Sequence, residues 1–306
     1  MVTDLGVVIV SWNTRDLLRD CLTSVFASSG GATGEGFTFR VVVVDNASTD
    51  GSAAMVSESF PRAELIASPV NGGYPYGNNL GLRRLGFANG KAGDGAAPPR
   101  YALLLNPDTV VPPDALATMV RFMDEHPAYG VAGPKLVLAD GSLDLACRRS
   151  FPSPEVSFYR MVGLSRLFPR SRRFGRYNMT YLDPDQATEV DSVVGAFMMV
   201  RREAIEAVGL LDEAFFMYGE DLDWAYRMRQ AGYPAYYYPA VTVLHHKRAA
   251  SRQSRRAQRE FYRAMLIFYR KHYQAATPRW LHALVLVGLA ARGGKPIIEM
   301  LRGGAT

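Results

Sequence analysis

The 306 residues include 35 Lys and Arg against 29 Asp and Glu, a formal charge of +6, with 48% hydrophobic and 21% charged residues. That balance excludes a disordered or collagen-like chain, and two cysteines, Cys21 and Cys147, exclude a disulfide framework or a four-cysteine zinc site. The total hides a split: residues 247–306 hold thirteen Lys and Arg against two acids, a net +11, so residues 1–246 carry −5.

The length allows one large domain or two small ones. The first ten residues, MVTDLGVVIV, have no basic region and reach an acid at Asp4, which reads as no signal peptide. With so few cysteines, a reducing, cytoplasmic setting follows. Residues 6–11 form a short apolar run with β-branched residues, a buried strand. Residues 15–28 place Leu17, Leu18, Cys21, Leu22, Val25 and Phe26 on one helical face. A Gly-rich loop leads to a second apolar strand, Phe39–Val44, with Asp45 at its end. NASTDGS then opens a helix over Gly51–Phe60. Strand, helix, strand, helix with buried-type strands predicts a mostly parallel α/β sheet flanked by helices.

A weak strand is expected at Glu64–Ser68, then a Gly- and Asn-rich stretch from Asn71 to Asn79, then a helix in LGLRRLGFA. Residues 89–99 read as a loop insert, Tyr101–Leu105 as a strong strand, Pro113–His126 as an amphipathic helix and Val131–Val137 as a strand. Six arginines and no acid occupy 160–176, read as a loop or short-helix excursion over a substrate site. A strand at Val193–Arg201, short helix at Glu203–Val208, helix at Asp221–Ala231 and strand at Tyr236–Leu244 follow, with His245 and His246 after the last. The tail is helical in pattern over Arg252–Tyr273 and Trp280–Ala291. Its apolar run at 281–290 is shorter than the ~20 residues a bilayer needs.

In open α/β sheets, ligands bind beyond the carboxyl ends of the strands. Asp45, Asp108, Asp221 and the two histidines lie at or after such ends. Each acid alone could be a turn or cap residue.

The blocks VVIVSWNTRDLLRDCLTSV, VVVVDNASTDGS, NGGYPYGNNLG, LLLNPDTVVPPDAL and VGAFMMVRREAIEAVGLLDEAFFMYGEDLDWAYRMRQAGY, in that order, resemble family 2 glycosyltransferases, and among them bacterial rhamnosyltransferase-like members. The resemblance covers about residues 5–250. It implies a GT-A fold, a single nucleotide-binding domain over residues 1–250 with a helical extension over 251–306. The implied reaction is inverting transfer from a nucleoside-diphosphate sugar with Mg²⁺ or Mn²⁺. The same fold also serves enzymes that charge polyprenyl phosphate with one sugar, and a non-catalytic scaffold would keep it. A nicotinamide dehydrogenase is disfavoured, because SWNTRD stands where G-x-G-x-x-G would be.

The resemblance places Asp45 against the nucleoside, where a carboxylate accepts hydrogen bonds from a base N–H or a ribose hydroxyl. Asn13 lines the same pocket, and the Asn71, Gly72 and Gly73 loop can approach a ligand closely. Asn79 is either near the donor or a capping side chain, and Asp50 is a cap or a donor contact. Asn106-Pro107-Asp108 corresponds to the family's Asp-x-Asp, with neutral Asn first, so Asp108 carries the metal contact and the ion arrives with the donor. One of His245 and His246 adds a contact to metal or diphosphate, and strand alternation lets only one face the site. Glu220-Asp221 matches the family's Glu-Asp pair, whose aspartate is the general base. Trp224 and Tyr226 either stack on a sugar or pack in the core. The acceptor implied is a growing glycan or a polyprenyl-diphosphate carrier, whose diphosphate the 160–176 arginines could contact. The basic tail fits peripheral contact with the inner face of the cell membrane, or a solvated basic face with a helix packed on the body, or a dimer contact. No zinc-finger or RNA-binding aromatic pattern supports nucleic acid as its partner.

Overall fold

A computed structural model describes residues 3–28, 37–88, 90–92, 95–247 and 255–302. Arg248 and Arg252 of the basic tail, and most of the Gly-rich loop after the first helix, lie outside these residues.

The first half alternates as expected: β1 (Leu5–Ser11), α1 (Arg15–Ala27), β2 (Phe39–Asp45), α2 (Ser52–Ser59), β3 (Ala63–Ala67), α3 (Tyr74–Arg84) and β4 (Tyr101–Leu105). β1 and β4 are buried along their whole length, which is why their sequences are unbroken apolar runs. α1 buries Leu18, Cys21, Leu22 and Val25, the expected stripe. α3 starts earlier than its apolar pattern predicts, inside the Gly-rich stretch. Pro75 sits in its first turn. Gly77 and Gly81 lie against β1, where a Cβ would come within 2.6 Å of Val10 and 2.4 Å of Val8. These glycines serve close helix–sheet packing, a purpose their loop-like composition conceals.

The second half holds β5 (Thr109–Val110), α4 (Ala115–Glu125), β6 (Val131–Val137), α5 (Pro154–Met161), α6 (Leu164–Leu167), β7 (Thr188–Val190), β8 (Phe197–Arg201), α7 (Arg202–Val208), α8 (Glu220–Gln230) and β9 (Ala235–His245). The 150–190 segment is thus a short-helix excursion. The sheet order is β3-β2-β1-β4-β8-β6-β9-β5, with β7 on β9. β3, β2, β1 and β4 are parallel, as are β6 and β9, while β8 is antiparallel to both β4 and β6. The sheet is therefore mixed beyond β4. Strand direction depends on which neighbours pair across the sheet, and a buried apolar run reads the same in either direction.

Three helices close the chain: α9 (Arg255–His272), α10 (Arg279–Gly293) and α11 (Lys295–Arg302). α9 has two packed faces. Ala264 and Phe268 enter the main core, while Leu266 forms a small second core with Leu289 of α10 and Ile297 of α11. Buried Asp223 of α8 anchors α9, accepting from His272 Nε2 at 2.7 Å and Lys271 Nζ at 2.8 Å, and from Arg227 Nε at 2.9 Å within α8.

Candidate active site

The expected site residues leave the sheet along one edge. β8 runs against β4 and β6, so β6 and β9 point the same way as β1–β4. The carboxyl ends of β2, β4 and β9, carrying Asp45, Asn106 and His245, share this edge. β8 begins there, so Gly195 just before it lies on the same side.

Asp45 is buried, at 4% exposure. Its Oδ2 accepts from the Ser48 N–H at 3.0 Å, while Oδ1 is buried with no hydrogen-bond partner. A buried carboxylate oxygen without a donor is costly, and a ligand N–H or hydroxyl would satisfy it. Around it, loops are tied by amide side chains. Asn13, at φ 52°, accepts from the Thr49 N–H at 2.8 Å and donates its own N–H to Ser48 Oγ at 2.9 Å. Asn46 escaped sequence reasoning, being one polar residue among several in DNASTDGS. It is buried and donates to Asn71 Oδ1 at 3.1 Å and the Gly73 carbonyl at 3.0 Å, while Gly72 N–H donates back to it at 3.2 Å. Gly73, at φ 92°, has no room for a side chain, since a Cβ would meet the Phe216 carbonyl oxygen at 2.3 Å. Asp50 acts as a cap, accepting from Ser52 N–H at 3.0 Å and tying in the Arg15 N–H at 2.9 Å.

The Asn79 amide donates to the Leu211 carbonyl at 2.9 Å and Glu213 Oε1 at 2.7 Å, and its oxygen accepts from Leu211 N–H at 3.1 Å. With its amide nitrogen and oxygen bonded to the 211–213 loop, it pins that loop to α3.

The carbonyl of Asn106 accepts from Thr109 Oγ1 at 2.8 Å, closing the turn that presents Asp108. His245 Nε2 lies 3.4 Å from Asp108 Oδ1, and its Nδ1 lies 2.9 Å from Asp144 Oδ2. His246 contributes its backbone N–H to the Asp108 carbonyl at 2.9 Å. Of the two histidines, His245 therefore has the side chain on the Asp108 side. Burial disfavours its charge, but hydrogen bonds to Asp108 and Asp144 outweigh burial and raise its pKa. Asp144, buried to 2% exposure, is a second residue missed from sequence. Burial would raise its pKa, but hydrogen bonds from His245 and Lys247 hold it far below the usual carboxylate range. Asp144 accepts from Nδ1–H and so orients the ring with Nε2 toward Asp108, where a bound cation would take the place of the Nε2 proton. The Asp108 carboxylate oxygen suits Mg²⁺ or Mn²⁺, while an imidazole nitrogen is a softer donor that favours a transition ion such as Mn²⁺ over Mg²⁺. Among the described residues no group of three or more His, Cys, Asp or Glu could hold a metal ion.

Glu220 and Asp221 open α8 after Gly219, at φ 81°. Asp221 Oδ2 accepts from Arg149 Nη2 at 2.7 Å and Gly195 N–H at 3.0 Å, and Oδ1 from Leu222 N–H at 2.8 Å. Arg149 gave no signal in the sequence, because its burial depends on a partner 72 residues away. Burial would lower its pKa, but the Asp221 charge more than reverses this and holds it cationic. Glu220 Oε2 is buried without a partner. Burial, and then the adjacent Asp221 charge, push its pKa up to about 8. Tyr74 joins the carboxylates, its hydroxyl donating to the Gly195 carbonyl at 2.7 Å. Burial and the charges of Glu220, Asp221 and Asp108 raise its pKa, so all three carboxylates act on one side chain. Trp224 is wholly buried, donating to the Gly209 carbonyl, and Tyr226 packs on Phe151 and His272.

A family profile described as "Glycosyltransferase like family 2" matches residues 3–263, and the chain belongs to that family. An N-acetylglucosaminyl-diphospho-decaprenol L-rhamnosyltransferase of Mycobacterium tuberculosis is 30% identical over 207 residues, 68% of this chain and 66% of that protein. The chain thus spans just under two thirds of that relative's length. Rhamnosyltransferase WbbL of Escherichia coli is 26% identical over 245 residues, 78% of this chain and 82% of that one. Among solved structures, the mannosyltransferase PcManGT of Pyrobaculum calidifontis, in complex with GDP-Man and Mn²⁺, superposes with a TM-score of 0.55 at 18% identity, covering 99% of this chain and 80% of that one. The expected GT-A fold is thereby found.

Proposed function

We propose that this family 2 member is an inverting, metal-dependent glycosyltransferase of cell-envelope glycan synthesis. It moves a sugar from a nucleoside diphosphate to a hydroxyl of a glycan or polyprenyl-diphosphate-linked acceptor. The likeness to two rhamnosyltransferases favours rhamnose. One observation carries the reading. A buried carboxylate oxygen without a donor, an Asp108–His245 pair and a Glu220–Asp221 pair lie along one sheet edge.

In this reading Asp45 Oδ1 accepts a hydrogen bond from the base or ribose, and the Asn13 and Asn46 clamps hold the surrounding loops. Asp108 and His245 would hold Mg²⁺ or Mn²⁺, which when bound offsets the negative charge growing on the departing diphosphate. Asp221 takes the proton of the acceptor hydroxyl as its oxygen attacks the anomeric carbon. Attack opposite the leaving group inverts that centre. Three donors hold Asp221 in place, which favours a repeatable hydrogen-bond geometry. Arg149 is the charged one of the three, at 2.7 Å.

A second reading exchanges the two acids. Glu220, with a free Oε2 and a raised pKa, is the stronger base when ionised. The basic tail contacts an anionic membrane at the inner face, and residues 1–250 and 251–306 form catalytic body and extension.

The test is a panel of nucleotide sugars with Mg²⁺ or Mn²⁺ and a polyprenyl-diphosphate-linked N-acetylglucosamine acceptor. Transfer is expected with one deoxyhexose donor, and Asp221→Asn should abolish it while Glu220→Gln only reduces it. The reverse order would move the base to Glu220. No turnover of any donor with either metal would overturn the assignment.

A further inference from the structure

We propose that the 154–182 excursion and helix α10 together form one surface that lies on an anionic lipid bilayer, with the excursion as much a part of it as the tail. This rests on the membrane reading of the tail and extends it to a segment inside the catalytic body.

On α10, Trp280, Ala283, Leu284, Val287 and Ala291 are all exposed. Their spacing of i, i+3, i+4, i+7 and i+11 makes one continuous outer stripe with no polar residue. The opposite face packs on α9 and α11 through Leu289. On the excursion, Phe158, Val162, Leu167 and Phe168 are each between 48% and 67% exposed. The two patches adjoin. Gly288 of α10 lies against Met161 of α5, with its Cβ position 3.0 Å from Met161 Cε, and Arg292 donates to the Met161 carbonyl at 2.9 Å. Gly288 directly follows Val287, and Met161 directly precedes Val162, so exposed apolar side chains flank the junction.

The charge around this surface is predominantly positive. Residues 154–182 hold six arginines against one acid, Glu155, and residues 261–299 hold six Lys and Arg against one acid, Glu299. Arg166, Arg170 and Arg172 have no ion pair with an acid among the described residues. A cleft of about 390 Å³ beside the patch is lined by Arg172, Arg173, Arg176, Tyr159 and Glu155. Exposed aromatic and aliphatic side chains among arginines match a headgroup boundary, where apolar groups enter the acyl region and guanidinium groups meet lipid phosphate. An apolar protein partner would leave these arginines without counter-charge. α10, 15 residues and ~22 Å long, lies along a bilayer rather than across its ~30 Å core, and among the described residues no helix is long and apolar enough to span one.

The excursion also links the surface to the chemistry. It starts just after Arg149, which grips Asp221, and returns where the Tyr177 carbonyl accepts from Ser150 N–H at 2.8 Å. A bilayer on this surface therefore sets the height of the base above the lipid, as a lipid-linked acceptor requires.

Co-sedimentation of the full chain with phosphatidylglycerol–phosphatidylcholine vesicles tests this. Phe158→Glu with Leu167→Glu, and separately Trp280→Glu with Val287→Glu, should each lower partitioning by about tenfold or more. Binding should weaken with salt and vanish on pure phosphatidylcholine. Should a Glu pair fail to fold, Phe168→Trp in a Trp12→Phe, Trp280→Phe background reports depth by brominated-lipid quenching, with Trp224 as the buried reference. Unchanged partitioning of the excursion pair, or an unquenched Trp at 168, removes the excursion and leaves the tail reading standing. No wild-type binding to anionic vesicles overturns both. A dimer by light scattering that either pair dissolves, without vesicle binding, assigns the surface to a second copy and overturns the proposal.

Discussion

Replacing Arg149 by Met takes the cation from Asp221 while keeping most of the side-chain volume. The two groups are 2.7 Å apart, and their side chains are 9% and 7% exposed. At an effective dielectric near 20, charges ~4 Å apart attract by ~4 kcal/mol. Removing one partner of a buried pair costs ~3–5 kcal/mol, because the other charge stays buried. The variant should therefore lose about 4 kcal/mol, on the order of 10 °C in Tm. Gly195 and Leu222 N–H groups still hold the carboxylate, so the fold should survive. Arg149→Met with Asp221→Asn should recover about half of the loss, since no buried charge remains. Urea unfolding of the four species gives the coupling, and kcat gives the function. Without Arg149, Asp221 keeps two of its three donors and its position is less fixed, so kcat should fall. A stability change below 1 kcal/mol, an additive cycle or an unchanged kcat would refute the view that Arg149 sets the position of Asp221.

Four further outcomes follow from the geometry. Glu220 binds a proton more tightly in the folded chain than unfolded, so stability should decline as pH rises from about 4.5 toward about 8. Glu220→Gln should flatten that decline in thermal scans. Asp45→Ala removes an unsatisfied buried oxygen, so Tm should hold or rise while nucleotide affinity by calorimetry drops about 10–100-fold. Asp144→Asn loosens the His245 ring and should weaken Mn²⁺ binding, read by electron paramagnetic resonance with nucleoside diphosphate present, by about 10–100-fold. Asp223 is the depressed case. Burial would raise its pKa, but His272, Lys271 and Arg227 hold it at about 2. Its contribution of about 2 kcal/mol is present above pH ~4 and lost as pH falls through about 2, so Asp223→Asn should destabilise at pH 7 and match wild type near pH 1.

Much of this molecule was legible in its sequence because its signals are local. Buried strands are unbroken apolar runs, so β1, β2 and β4 could be read directly, and the strand-end rule then marked Asp45, Asp108 and Asp221 before any geometry. The short apolar run at 281–290 already argued against a spanning helix. What only the tertiary structure decided lies in pairs distant along the chain. Asp144 meets His245 across 101 residues and Arg149 meets Asp221 across 72. Nothing in the residues near either partner encodes such a meeting. Strand direction is likewise a matter of neighbours: antiparallel β8 carries Gly195 to the carboxylate edge, and β9 places His245 rather than His246 against Asp108. Gly77 and Gly81 resembled loop residues because close packing and turning favour the same missing side chain. That Asn79 bonds the 211–213 loop across more than 130 residues is likewise invisible in the sequence. The apolar stripe of α10 is a property of sequence, but its union with the arginine-rich excursion depends on Met161 meeting Gly288 across the fold. Local chemistry determined which residues could act, and long-range packing determined which of them act together.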